Sequence, residues 1–113
     1  MVITKQTPFT SEEISQMKEV YGEYIKTVID IRKKICVGGV VMHVDGEQLL
    51  IQENSNQSDI WGGGIDIKTT EIDFQSMINI RPHDNNMSNI IANPDIQNEY
   101  SSLTKYFFKL LYE

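Results

Sequence analysis

The stretch that most restricts the fold is the last one. "NPDIQNEYSSLTKYFFKL", residues 93 to 110, opens with Asn93, Pro94 and Asp95. These are a side chain that caps a helix start, a proline whose missing N–H costs nothing in the first turn, and an acid at the positive end of the dipole. Ile96, Tyr100, Leu103, Phe107 and Leu110 then recur at spacings of four and three, which draws a continuous apolar stripe along a helix. Such a stripe has to be buried, and most of the chain before it reads as strands. A helix laid on a sheet is therefore the frame for everything upstream.

A second helix is predicted over residues 11 to 23. Thr10 and Glu13 stand at capping-box spacing, Phe9 and Ile14 at staple positions, and Ile14, Met17, Tyr21 and Tyr24 form the stripe, with Gly22 marking the end. "IKTVIDI", residues 25 to 31, is rich in β-branched residues and reads as a strand. Arg32, Lys33 and Lys34 follow as a solvated turn. Asp45-Gly46 suits a type I′ turn, so residues 40 to 52 are expected to form a hairpin, with Val40, Met42, Val44, Leu49 and Ile51 on its core face and Val41, His43, Gln48, Leu50 and Gln52 on a mixed face. "IWGGGIDI", residues 60 to 67, is a strand whose glycines suggest a bulge or the close approach of another backbone or a ligand. A fifth strand covers about residues 73 to 81, ending before Pro82, which has no N–H for the ladder. The expected fold is α+β: a five-stranded, largely antiparallel sheet with the N-terminal and C-terminal helices on one face, in a single domain over residues 1–113.

Composition narrows the function. A formal charge of −6, from 10 Lys and Arg against 16 Asp and Glu, argues against general nucleic-acid binding, which needs a basic face. The single Cys36 rules out an internal disulfide, reads as a small buried hydrophobe, and makes a reducing compartment the simpler setting. "MVITKQTPF" lacks the basic and apolar regions of a signal peptide, and no apolar run approaches the roughly 18 residues of a membrane span. The expectation is a cytoplasmic protein with no membrane association.

Two helices cover one face of a sheet, so the other face is expected to be open. On it would lie Asn79 and Arg81 of the fifth strand, beside His43, rimmed by the Asn-rich loop from residue 83 to 93 with His83 and Asn86. Arg81 can hold a carboxylate or phosphate with its planar fork, or it can pair internally with Asp30, Asp66 or Asp73. Trp61 is either core or an anchor for a ligand or partner. "WGGG" is no phosphate loop, since no Lys-Ser/Thr follows it and no helix begins there. His43, Asp45 and His83 do not make up a tetrahedral ligand set, so no metal is expected and no cofactor is implied.

"IDIRKKICVGGVVMHVDGEQLLIQENS", "IWG" and "SMINIRP" followed by asparagines resemble a family of short bacterial proteins classed as a domain of unknown function. The resemblance covers Thr10 to the last helix and implies no activity. Ser76, Asn79 and Arg81 match its pattern best, whereas "HVDGEQ" and "WGGG" depart from it around Asp45 and Gly63. The expected function is a binding or interaction module that uses the exposed sheet face and the 83–93 loop for a protein partner or a second copy. The alternative is a small enzyme or a binder of an anion or nucleotide, centred on Asn79, Arg81 and His83.

Overall fold

The computed structural model describes residues 2–113. Five strands, β1 (Ile3–Lys5), β2 (Tyr24–Asp30), β3 (Ile35–Gly38), β4 (Ile60–Asp66) and β5 (Ile72–Asp73), form one open sheet in the order β1-β3-β2-β4-β5. Every pairing is antiparallel. Helices α1 (Ser11–Tyr21) and α3 (Pro94–Phe107) pack on one face, as the sequence predicts. The Thr10–Glu13 capping box forms in both directions, at 3.1 and 2.9 Å, and Asn93 Oδ1 accepts from the amides of Asp95 and Ile96.

The larger core lies between these helices and the sheet, where Ile25, Ile29, Cys36, Trp61 and Ile65 meet Phe9, Met17, Tyr100 and Phe107. Thr27 is the polar exception on that face. Its hydroxyl lies 2.6 Å from that of Tyr100, which also donates to the Thr27 carbonyl at 3.0 Å, so no polar atom of the pair is stranded.

The expected 40–52 hairpin does not form. Residues His43–Gln52 are a third helix, α2, which covers the opposite face of the sheet and closes a second core of Val28, Val37, Val40, Leu50 and Ile60. His43, Gly46, Glu47 and Leu50 fall at helical spacing and turn inward, while the presumed core residues Met42, Val44, Leu49 and Ile51 are exposed. Gly46 serves the helix: a Cβ there would stand 2.8 Å from Val28 Cγ2, so the absent side chain lets α2 settle on β2. The hairpin partner of β2 is instead β3, entered through the basic turn Ile31–Lys34, in which Asp30 Oδ1 accepts from the Arg32 and Lys33 amides.

The expected strand 73–81 also needs correction. Only Ile72–Asp73 pairs with β4, and the chain then turns into a short 3-10 helix, Met77–Asn79, because Ser76 Oγ accepts from the Ile78 amide and caps it.

Candidate functional site

The face expected to be open is roofed by α2, and four of the proposed site residues, Asn79, Arg81, Asn86 and Trp61, are interior. Asn79 is fully buried: its Oδ1 accepts from Gly62 N at 2.9 Å, and its Nδ2 bonds to the carbonyls of Gly62, Phe74 and Asn89 at 2.9, 3.0 and 3.2 Å. The amide thus pairs with both polar groups of Gly62, as a residue of a neighbouring strand would. Arg81 donates from Nε to Ile78 O, and from its two terminal nitrogens to the carbonyls of Gln57 and Ile60. Its guanidinium lies 4.1 Å from the ring centroid of buried Trp61, and its acid is Asp84 at 3.8 Å rather than Asp30, Asp66 or Asp73. Asn86 is buried as well, bonding through Nδ2 to Asn79 O, Ser88 O and Ile90 O and accepting from Ala92 N. These polar groups are spent on the protein's own main chain. His83 is exposed on the 3-10 turn Pro82–Asp84.

His43 is the residue that the sequence singled out and that does sit at an opening. Lys26 of β2, Met42, His43 and Val44 at the start of α2, and Ser76, Met77 and Ile78 line a hollow of about 170 Å³. Glycine at 62 makes it possible. A Cβ there would lie 2.7 Å from both Cβ and Oγ of Ser76 and 3.1 Å from His43 Cδ2, so both side chains rest directly on the strand. The close approach expected at "WGGG" is therefore made by the chain itself, with Tyr100 at Gly63 and the Tyr24 ring at Gly64 completing it.

His43 Nε2 stands 2.7 Å from Gly63 O. A carbonyl only accepts, so Nε2 carries the hydrogen and Nδ1 keeps its lone pair. Burial lowers the imidazole pKa, with the Gly63 bond opposing, and His43 is neutral at pH 7. Lys26 Nζ donates to Val41 O at 3.0 Å. Tyr24 OH donates to Asp73 Oδ2 at 2.5 Å, and burial, reinforced by that carboxylate, raises the phenol well above its ordinary range. The hollow thus offers one cation, one hydroxyl and one neutral imidazole within apolar walls.

A larger hollow, about 350 Å³, lies where α2 nears β1, lined by Thr4, Lys5, Ile35 and Leu50 among others. Its cation Lys5 is paired with Glu13 at 3.1 Å, and the other charged group in its lining is the acid Glu53. Among the described residues no three His, Cys, Asp or Glu side chains gather to hold a metal ion, and no helix is long and apolar enough to cross a membrane.

Sequence reasoning missed Lys26 and the start of α2, and it named Ser76 only through the family resemblance. The signals were present: a Ser three residues before Asn79 that caps a turn, and a helical His43-Glu47-Leu50 spacing masked by Asp45-Gly46. Residues 1–107 match the model of a family described as "Protein of unknown function (DUF5674)". No curated protein and no solved structure matches the chain.

Proposed function

Because the chain belongs to that family, whose description names no activity, we propose its role from its own surface: it is a binding module that holds an apolar segment of a protein partner. The contact lies where the start of α2 meets the Met77–Asn79 turn, not on an open sheet face. One observation carries the reading. Val41, Met42 and Met77 are 67 %, 58 % and 73 % exposed beside a hollow whose walls are largely apolar, and clustered exposed apolar side chains mark contact surfaces. Methionine suits the task, since its flexible thioether adapts to different partners. The 83–93 loop adds Met87 and Ile90, both exposed, and runs beside the hollow, where Ser76 N donates to Asn89 O. The alternative centred on Asn79, Arg81 and His83 has little to work with, because Asn79 and Arg81 spend their polar groups internally.

The test is a selection of displayed peptides on the immobilised full-length chain, run in parallel on Met77→Asp and followed by sedimentation. Met77 is exposed, so the variant keeps its melting temperature. Enriched peptides that share an apolar position and bind the variant at least about tenfold more weakly support the reading. No enrichment, or binding indifferent to Met77→Asp, overturns it. A dimer broken by the same change assigns the surface to a second copy of the chain.

A further inference from the structure

We infer that the hollow recognises a chain end: it takes the last residue of a partner polypeptide, with an apolar side chain between Met42, Val44 and Met77 and the free carboxylate on Lys26 and Ser76. The inference rests on the protein-binding reading above and names what is bound.

Size comes first. About 170 Å³ is well below the roughly 300–1,000 Å³ of pockets that enclose drug-sized ligands and cofactors, so a nucleotide does not fit and a single residue does. The walls are mostly apolar, yet two polar side chains in them have hydrogens to spare. An ammonium carries three donors, and Lys26 spends one on Val41 O. No carboxylate pairs with it, the side-chain ion pairs among the described residues being Lys5–Glu13 and Arg81–Asp84. Ser76 is buried and accepts from Ile78 N at 3.3 Å, while its own hydroxyl hydrogen has no acceptor among the described residues.

The nearby acid is already engaged, since Asp73 Oδ2 receives Tyr24 OH and Oδ1 receives Gln75 N. No side chain caps the start of α2, so the positive end of that helix adds to the field of Lys26 at the mouth, with Asp45 in the first turn partly offsetting it. His43 is held by Gly63 O and brings no charge. Together these groups form a local attraction for one negative charge on a protein whose net charge of −6 disfavours anions in general. A terminal carboxylate fits better than an Asp or Glu side chain. It shares one Cα with its apolar side chain, and no chain continues beyond it.

The experiment uses the full chain, labelled at methionine methyls and backbone amides, with N-acetyl-leucine and N-acetyl-leucinamide as probes in NMR titrations. The acid should shift the Met42 and Met77 methyls and the Val44 and Ser76 amides saturably, and the amide should bind about tenfold more weakly, because charge-assisted hydrogen bonds are lost. Lys26→Gln should bring the acid down to the level of the amide, and Ser76→Ala should weaken the acid about threefold. Equal binding of acid and amide overturns the inference while leaving the apolar contact surface standing. So does the absence of saturable shifts with either probe. Failure of the surface itself is read separately, from peptides indifferent to Met77→Asp.

Discussion

Replacing Asn79 with Ala should cost this protein about 3–5 kcal/mol. The side chain is fully buried, and its loss leaves Gly62 N–H, Gly62 O, Phe74 O and Asn89 O without the partner they have at 2.9–3.2 Å. Nδ2 has two hydrogens for three carbonyls, so about three full hydrogen bonds disappear, each worth about 1 kcal/mol net, and a stranded buried group costs about 1–3 kcal/mol. Against the roughly 5–15 kcal/mol by which domains are stable, the loss is large. At about 4–8 °C per kcal/mol for a chain near this length, the melting temperature should fall by about 12 °C or more. Urea denaturation followed by circular dichroism measures it directly, with an unchanged slope showing that stability alone has moved. Exposed Met77 is the internal control, and Met77→Ala should stay within about 0.5 kcal/mol. Asn79→Asp adds a pH signature. Its carboxylate would face carbonyl oxygens, which raises the folded-state pKa above the unfolded value of about 3.9. Its deficit relative to the native chain should therefore be smallest below about pH 4 and grow as pH rises through the raised pKa. An Asn79→Ala penalty under about 1 kcal/mol would refute the view that this amide completes the sheet.

Arg81→Ala should destabilise by about 3 kcal/mol, because three carbonyls and the Trp61 ring lose a buried guanidinium, and Arg81→Lys should recover less than half of that; denaturation curves followed by Trp61 fluorescence decide, and a loss under about 1 kcal/mol contradicts it. For His43 the folded pKa lies below the unfolded value of about 6.5, so the unfolded chain takes up the proton more readily. The stability advantage of the native chain over His43→Gln should therefore narrow as melting is followed from pH 7.5 down to pH 5.5, and a gap that widens on acidification reverses the sign. Gly62→Ala should cost about 1–3 kcal/mol through its clash with Ser76, and Ser76→Gly in the same chain, which removes both Cβ and Oγ, should return more of it than Ser76→Ala, which removes Oγ alone, as thermal melts of the three variants would show. Deleting residues 96–113 should abolish cooperative unfolding in calorimetry, since Tyr100, Leu103 and Phe107 leave the larger core with them.

Local chemistry was the legible part of this sequence. Thr10–Glu13, Asn93–Pro94–Asp95 and the basic turn after β2 each announce themselves within four residues, and each forms as read. Strands β1 and β3 were not read at all, and two further misreadings share a cause. "HVDGEQLLIQ" satisfies a hairpin pattern around Asp-Gly and a helical one through His43, Glu47 and Leu50, and what decides between them is the apolar face formed by Val28, Val37 and Ile60, which lies outside the segment on β2, β3 and β4. "SMINIRP" alternates like a strand, but the polar groups of Gly62 are better met by the Asn79 side chain than by another strand's main chain. Tertiary partners won in both places. For the candidate site, His43 was visible as a residue type and Lys26 was not, because a lysine within a strand gives no sign of what will fold over it.

The pairing of Asn79 with Gly62 also guards the molecule against itself. β5 shields β4 only at Gly64 and Ile65, and the remaining outer edge of "IWGGG" is covered by the segment from Phe74 to Ala92, which Asn79, Arg81 and Asn86 fasten. If that segment lifts while the rest of the fold stays intact, an apolar strand edge is bared, the kind of template on which chains add to one another. Self-assembly into aggregates would then be governed by the opening of one polar clasp rather than by global unfolding, and hydrogen exchange at the Gly62 amide would report how often that clasp opens.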